Sequence, residues 1–266
     1  MVVQKYKNIE DKKFYQAIKP DQTYKGLTYA DLIADWMNWV YSDDPDERND
    51  NSFTYLRGNN IGDPYNSESS ALSASTFDVV DDIKNIYDRT GFRGITITSN
   101  SAIFFPVFDT NFVLNDTYLG KVLQTPYDLR IGTRNEYNQV SAMWATIQVS
   151  NGEDWVEGNP IVEDLSEYYA ESYPFQLFAS AGNKLNREPK YYLQGPHDYL
   201  GVSVGTYLLL SNFKPGKYRL DFGGISRVPY FTRAVYDITV IETSQPPVND
   251  ISSLAAKKSF TPKPLK

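Results

Sequence analysis

Phe213-Lys-Pro-Gly-Lys217, Tyr218-Arg-Leu-Asp-Phe222, Gly223-Gly224 and then Ala234-Val-Tyr-Asp-Ile-Thr-Val-Ile241 form the stretch that decides the fold. Pro-Gly is a turn signal, and Tyr218, Leu220 and Phe222 alternate with Arg219 and Asp221 at the two-residue period of a half-buried strand. The glycine pair is expected to break that strand, and residues 234–241 supply the next one, rich in β-branched side chains. Upstream the same signal recurs. Gly94-Ile-Thr-Ile-Thr98 alternates, and Ala102-Ile-Phe-Phe-Pro-Val-Phe108 reads as a buried strand with one Pro. Val140 to Val149 alternates through Ala142, Trp144, Thr146 and Gln148, and Tyr191-Tyr-Leu-Gln-Gly and Val202 to Leu210 follow.

Helical period is confined to two places. Thr28 and Asp31 have capping-box spacing, and Tyr29, Leu32, Ile33, Trp36 and Val40 then recur on one face, which predicts a helix over 28–42. Phe77, Val80, Ile83 and Tyr87 make a second stripe before Gly91 and predict a helix over 76–89. Residues 51–75 read as a surface excursion. Many short strands with two helices imply sheet packed on sheet, so the expected fold is mainly β: an antiparallel β-sandwich, jelly-roll or Ig-like, over residues 27–242. Residues 1–26, polar and Lys-rich, and 243–266, with Pro246-Pro247 and a Lys-bearing end, read as extended arms.

Composition removes whole classes of function. The 266 residues carry 26 Lys+Arg against 33 Asp+Glu, a net charge of −7, and no basic block, which disfavours nucleic-acid binding. No apolar run approaches the roughly 20 residues of a membrane span. Zero Cys excludes disulfides, thiol nucleophiles and zinc–thiolate sites. The first residues show no apolar signal region, so maturation in the cytosol is expected and the Asn115-Asp-Thr117 sequon reads as a chance match.

Gly201-Val-Ser203-Val-Gly205 matches the G-x-S-x-G nucleophile elbow, which needs a helix after the Ser and a later His. Strand-like Thr206-Tyr-Leu-Leu-Leu210 follows instead, and the sole histidine, His197, precedes it, so no catalytic residue is expected there. His197 lies in a Gly-Pro-His-Asp turn and has no second His to share a metal with. The acidic run Asp43, Asp44, Asp46, Glu47 and Asp50 lacks the register of a calcium loop and reads as a solvated turn. Asp154 with Glu157, and Glu163 with Asp164, are carboxylate pairs of the kind glycosidases use, yet 33 acids make such pairs commonplace. No phosphate-binding glycine loop is present, and no cofactor or metal is expected. Trp155, Tyr168, Tyr169, Tyr173, Tyr191 and Tyr192 sit among polar residues; such rings suit sugar stacking or a protein interface, and equally the core and rims of a sandwich.

Two stretches together carry a resemblance. They are Leu27-Thr-Tyr-Ala-Asp-Leu-Ile-Ala-Asp-Trp36-Met-Asn-Trp39, with Ala102-Ile-Phe-Phe-Pro-Val107 after it, and Gly205 through Gly224 with Tyr236-Asp-Ile-Thr-Val240. This pattern resembles a β-sandwich family with a Tyr-Ala…Trp-x-x-Trp helix near one end and a Pro-Gly hairpin near the other. Its members include exported bacterial proteins and virion proteins of tailed phages infecting marine cyanobacteria. The chain departs from the exported members: it has no cysteines, and it reads Ser99-Asn-Ser-Ala102 where they have a Pro-Ala-Gly-Lys-like turn. The resemblance implies a non-enzymatic virion structural protein, a capsid decoration or a neck or tail component. Its implied partners are other virion proteins and further copies of itself. On that reading the arms are assembly elements, with Lys257, Lys258, Phe260 and Lys263 as candidate partner-binding residues. The alternative expectation is a carbohydrate-binding sandwich for attachment to a host surface.

Overall fold

The computed structural model describes residues 14–42, 53–56, 59–60, 92–150, 152, 154–155, 158–180, 196–226 and 231–243. Two sheets face each other. The first is built on β12 (His197–Ser211), which pairs along one side with β5 (Ala102–Val113), antiparallel; β5 pairs in turn with β2 (Phe53–Tyr55), parallel. Three short strands share the other side of β12 end to end: β11 (Phe175–Ala179), β10 (Tyr169–Glu171) and β1 (Gln16–Ile18). In the second sheet β13 (Gly216–Ser226) lies between β14 (Phe231–Ile241) and β8 (Val140–Val149), antiparallel to both. The far side of β14 takes β3 (Asn59–Asn60) and, in parallel, β4 (Phe92–Thr98), and β8 takes β9 (Asn159–Pro160). The result is mainly β, a sandwich of two mixed sheets: antiparallel pairing dominates, and one parallel pair lies toward the edge of each sheet.

The core between the sheets comes from alternation. Ile103, Phe105, Leu208 and Leu210 of the first sheet meet Ala145, Ile147, Tyr218, Leu220, Phe222, Tyr236 and Ile238 of the second, and the Phe105 and Phe222 rings lie 4.4 Å apart between centroids. Gly223 and Gly224 do not end β13, which continues to Ser226. A β-carbon on Gly223 would lie 2.1 Å from Thr232 O and 2.7 Å from the Trp144 ring, so the missing side chain admits the indole and the neighbouring strand rather than breaking the ladder.

Pro106 is tolerated in a central strand because it sits at a bulge. Thr206 pairs with Phe108 but Tyr207 pairs with Pro106, leaving Val107 as the extra residue. The insertion shifts the alternation of β5, so Phe108 now faces the second sheet, where Gly224 leaves room for its ring. Opposite the bulge, a β-carbon on Gly205 would lie 2.6 Å from Phe108 O and 2.8 Å from Asp109 Cα, both backbone atoms. Gly205→Ala is therefore expected to destabilise by roughly 3 kcal/mol, the upper part of the overpacking range, in urea unfolding. Gly94→Ala, with nothing within 4 Å of its β-carbon, should stay near wild type and serves as the control.

The first helix, α1 (Tyr29–Val40), starts where the capping box places it: Asp31 N donates to Thr28 Oγ1 at 3.2 Å and Thr28 N donates to Asp31 Oδ2 at 2.9 Å. Its Leu32, Ile33, Trp36 and Met37 cover the outer face of the first sheet against Phe104, Tyr207 and Leu209. Tyr29 Oη donates to Ile18 O at 2.6 Å and accepts from Leu209 N at 3.1 Å, tying helix, β1 and β12 together.

Residues 14–26 correct the expectation of an arm over 1–26. Phe14 and Tyr15 pack on the inter-sheet core, and β1 completes the first sheet, because the apolar Phe14, Tyr15 and Ile18 outweigh the lysines around them. A second helix, α2 (Pro126–Tyr137), lies where none is expected. It follows a hairpin of β6 (Thr117–Tyr118) and β7 (Lys121–Val122), and its Leu129, with Leu123, covers Val202 and Val204. The helix expected over 76–89 and the candidate residues Lys257, Lys258, Phe260 and Lys263 lie outside the described residues.

Candidate functional site

Ser203 lies mid-strand. β12 runs straight through it, with no strand-to-helix turn, and the residue is fully buried. Its backbone N donates to Ser172 Oγ at 2.9 Å, and its Oγ is 3.1 Å from Thr110 O and 2.7 Å from Tyr207 Oη. Beside it on β5, burial pushes the Asp109 carboxyl up to about 7, although hydrogen bonds from Asn111 and Ser203 pull the other way. Burial likewise raises the Tyr207 phenol well above its usual value, and the Asp109 charge adds to this. A hydroxyl sealed between a phenol and a carboxyl has neither an imidazole to activate it nor access for a substrate. His197, at the exposed start of the same strand, is six residues away, or about 20 Å along an extended chain. The cluster is a polar island in an apolar face.

Of the carboxylate pairs, Asp164 has a local duty. Asp164 accepts from Ser166 N at 2.8 Å and caps the short turn Leu165–Tyr168; that capping holds its carboxyl below the usual range. Glu157 lies outside the described residues. Among the described residues no three His, Asp or Glu side chains gather as metal ligands would.

At the α2 end, Arg134 grips Glu171 with two hydrogen bonds of 2.6 and 2.7 Å, and Arg130 lies 3.7 Å away. Tyr169 Oη also donates to Glu171. Partial burial raises the Glu171 carboxyl, but Arg134, Tyr169 and Arg130 bring it net below its usual value. On the β6–β7 hairpin, on α2 and just after β10, apolar side chains point to solvent: Leu119 is 85% exposed, Tyr127 73% and Tyr173 72%, with Ile131 one turn from Tyr127. Leu119 and Gly120 both have positive φ, 49° and 78°, at the tip of the β6–β7 hairpin. A leucine is a costly residue to hold there.

The outer face of the second sheet carries the other polar cluster, in which Arg233 is itself buried. Arg219 forks onto Asp237 at 2.7 and 2.9 Å, and its guanidinium lies 4.4 Å from the Trp155 ring centroid. Arg233 pairs with Asp221 at 3.0 and 2.5 Å, and Trp144 Nε1 donates to the same carboxylate at 3.0 Å. Of the aromatics singled out from sequence, Trp155 belongs to this face, Tyr169 to the Glu171 clamp and Tyr173 to the exposed end. Tyr168 is buried in the core because its ring packs between the sheets, and Tyr191 and Tyr192 lie outside the described residues. Sequence reasoning missed Trp144 as a member of this polar cluster, although its place in the Ala142-Trp144-Thr146-Gln148 alternation puts it on the face away from Ala145 and Ile147.

No protein-family model matches the chain, and no curated protein and no solved structure matches it. The class is therefore defined by the fold and its surfaces: a mainly-β sandwich with one helix-covered face and one polar, indole-bearing face.

Proposed function

We propose that the chain is a non-enzymatic structural protein of a tailed-phage virion, a capsid decoration or a neck or tail component, that acts by contacting other virion proteins. The observation that carries this reading is the set of exposed apolar side chains on α2, the hairpin before it and the segment after β10. Leu119 held at positive φ, with Tyr127 and Ile131 exposed on α2 and Tyr173 exposed after β10, is what a contact surface needs and what a free surface pays for. The resemblance of the helix and hairpin segments supports the same class, and so does the absence of cysteine from a protein assembled in a reducing host cell. The sealed Ser203 cluster supports the non-enzymatic side of the reading.

Mass-spectrometric inventory of purified particles is the test. The chain is expected at a fixed ratio to the major capsid protein, and Leu119→Asp with Tyr127→Ser should lower its incorporation while the isolated protein keeps its melting temperature. Recovery only from the soluble lysate would overturn the proposal.

A further inference from the structure

We infer that the free edge of β4 pairs with the same edge of a second copy of this chain, antiparallel, about a two-fold axis at Thr96. Among the described residues β4 ends the second sheet: it pairs with β14 in parallel and with no strand on its other side. Ser99 N donates to Ile241 O at 2.9 Å, which sets the phase of the ladder. The odd-numbered residues of β4 turn their main-chain groups to β14, so Gly94, Thr96 and Thr98 turn theirs away from the sheet. Gly94 and Thr96 are exposed. The Thr98 carbonyl accepts from Ser101 N at 3.0 Å and keeps a second lone pair. The guards that natural edges carry are lysine, proline or a bulge. Gly94-Ile-Thr-Ile-Thr98 has none of them, and its register with β14 is unbroken. Arg93, next in the chain, is held inward, with Nη1 donating to Tyr236 Oη at 2.8 Å. The edge of β11 in the first sheet is closed by contrast. There the Asn38 side chain of α1 accepts from Phe178 N at 3.0 Å and donates to Gln176 O at 3.2 Å, in the place of a further strand.

The occupant follows from the side chains, because this strand complements itself. With Thr96 opposite Thr96, Ile95 meets Ile97 on the core side, Thr98 meets Gly94 on the outer side, and Arg93 meets Ser99. Threonine pairs and β-branched apolar pairs are favourable cross-strand neighbours, and no like charges face each other. Ile95, only half-buried against the core, gains cover. Gly94, with nothing within 4 Å of where its β-carbon would lie, leaves room for Thr98. Sliding the copies by two residues sets Arg93 against an isoleucine, and sliding by one turns the isoleucines to the wrong face. So short an edge buries far less than the roughly 1,600 Å² of a standard interface, so the dimer should dissociate in the micromolar range. This inference stands whether or not the chain is a virion component.

Sedimentation velocity of the full chain from about 1 to 200 μM should show monomer passing into dimer. Thr96→Lys and Thr96→Asp each set like charges across the axis and should raise the dissociation constant about tenfold or more. An equimolar mixture of the two variants should dimerise again. Both should keep the wild-type melting temperature at low concentration, since Thr96 is exposed. The chain has no cysteine, so Thr96→Cys introduces a single thiol. Its Cα would lie about 5.5 Å from its mate's, within disulfide reach. Oxidised glutathione should cross-link that variant but not Lys217→Cys, exposed in the same row two strands away on β13. A monomer throughout the range, a dimer that Thr96→Lys leaves unchanged, or equal cross-linking of the two thiols would each overturn the pairing. So would a dimer lost on removing residues 244–266, which would assign the association to that segment.

Discussion

Trp36→Ala is expected to lower stability by about 3–5 kcal/mol, the range for truncating a large buried aromatic. The side chain is 5% exposed, sits edge-on to the Tyr207 ring and donates from Nε1 to Leu56 O at 2.8 Å. Truncation loses the apolar contact, opens a cavity under α1 and leaves the Leu56 carbonyl without that donor. Urea unfolding should show a lower midpoint with an unchanged slope, and the melting temperature should fall by roughly 10 °C for a domain of this size. Trp36→Phe keeps most of the ring contact and should cost much less. A loss below about 1 kcal/mol for the alanine variant would mean that the helix is not held by this face.

The second large effect is a pH dependence centred on Asp109. Burial pushes the native carboxyl up to about 7 from its ordinary 3.8, so between those values the folded state holds a proton that the unfolded chain has released. Stability therefore falls as pH rises from about 4 to about 7 and is level above that. The displacement corresponds to on the order of 4 kcal/mol. Asp109→Asn resembles the protonated acid in shape and charge and can still accept from Ser203. It should match wild type near pH 4, exceed it by several kcal/mol near pH 8, and lose the slope between. The groups around Asp109, Asn111, Ser203 and Tyr207, stay uncharged across that interval, since the Tyr207 phenol is raised rather than lowered. Unfolding curves for wild type and variant that ran parallel from pH 4 to 8 would trace the pH dependence to another group.

Helix α1, the β13–β14 pair and the mid-strand setting of Ser203 are all legible in the sequence. Each rests on a signal confined to neighbouring residues: a capping box with a 3.6-residue stripe, a two-residue alternation, and a Ser followed by strand formers. Helix α2 shows the limit of that kind of signal. Its Thr125–Asp128 capping box and Pro126 are present in the sequence, but its inward side holds only Leu129, Gly132 and Thr133, so no apolar stripe advertises it. The glycine pair in β13 shows a second limit, because glycine reads as a strand breaker until its neighbours are known. Trp144 and the Thr232 carbonyl explain Gly223, and Phe108 explains Gly224.

By itself the sequence determined the class of the fold, the faces that its clearest strands turn to the core, and the absence of thiol chemistry. Alternation and capping are set by bonds along one short piece of chain, so they need no partner. Which strands meet was decided only in the tertiary structure. β12 gathers β1, β10, β11 and β5, segments up to about 190 residues apart, and β4 joins β14 in parallel across more than a hundred. The alternation of a strand says which side is apolar but not which strand lies beside it. The same holds for both polar clusters. Asp109 meets Ser203 and Tyr207 because a bulge at Val107 resets β5 against β12, and Trp155, bridged to Ser150 just past β8, meets Arg219 of the neighbouring strand. These meetings depend on long-range register, which no local pattern encodes.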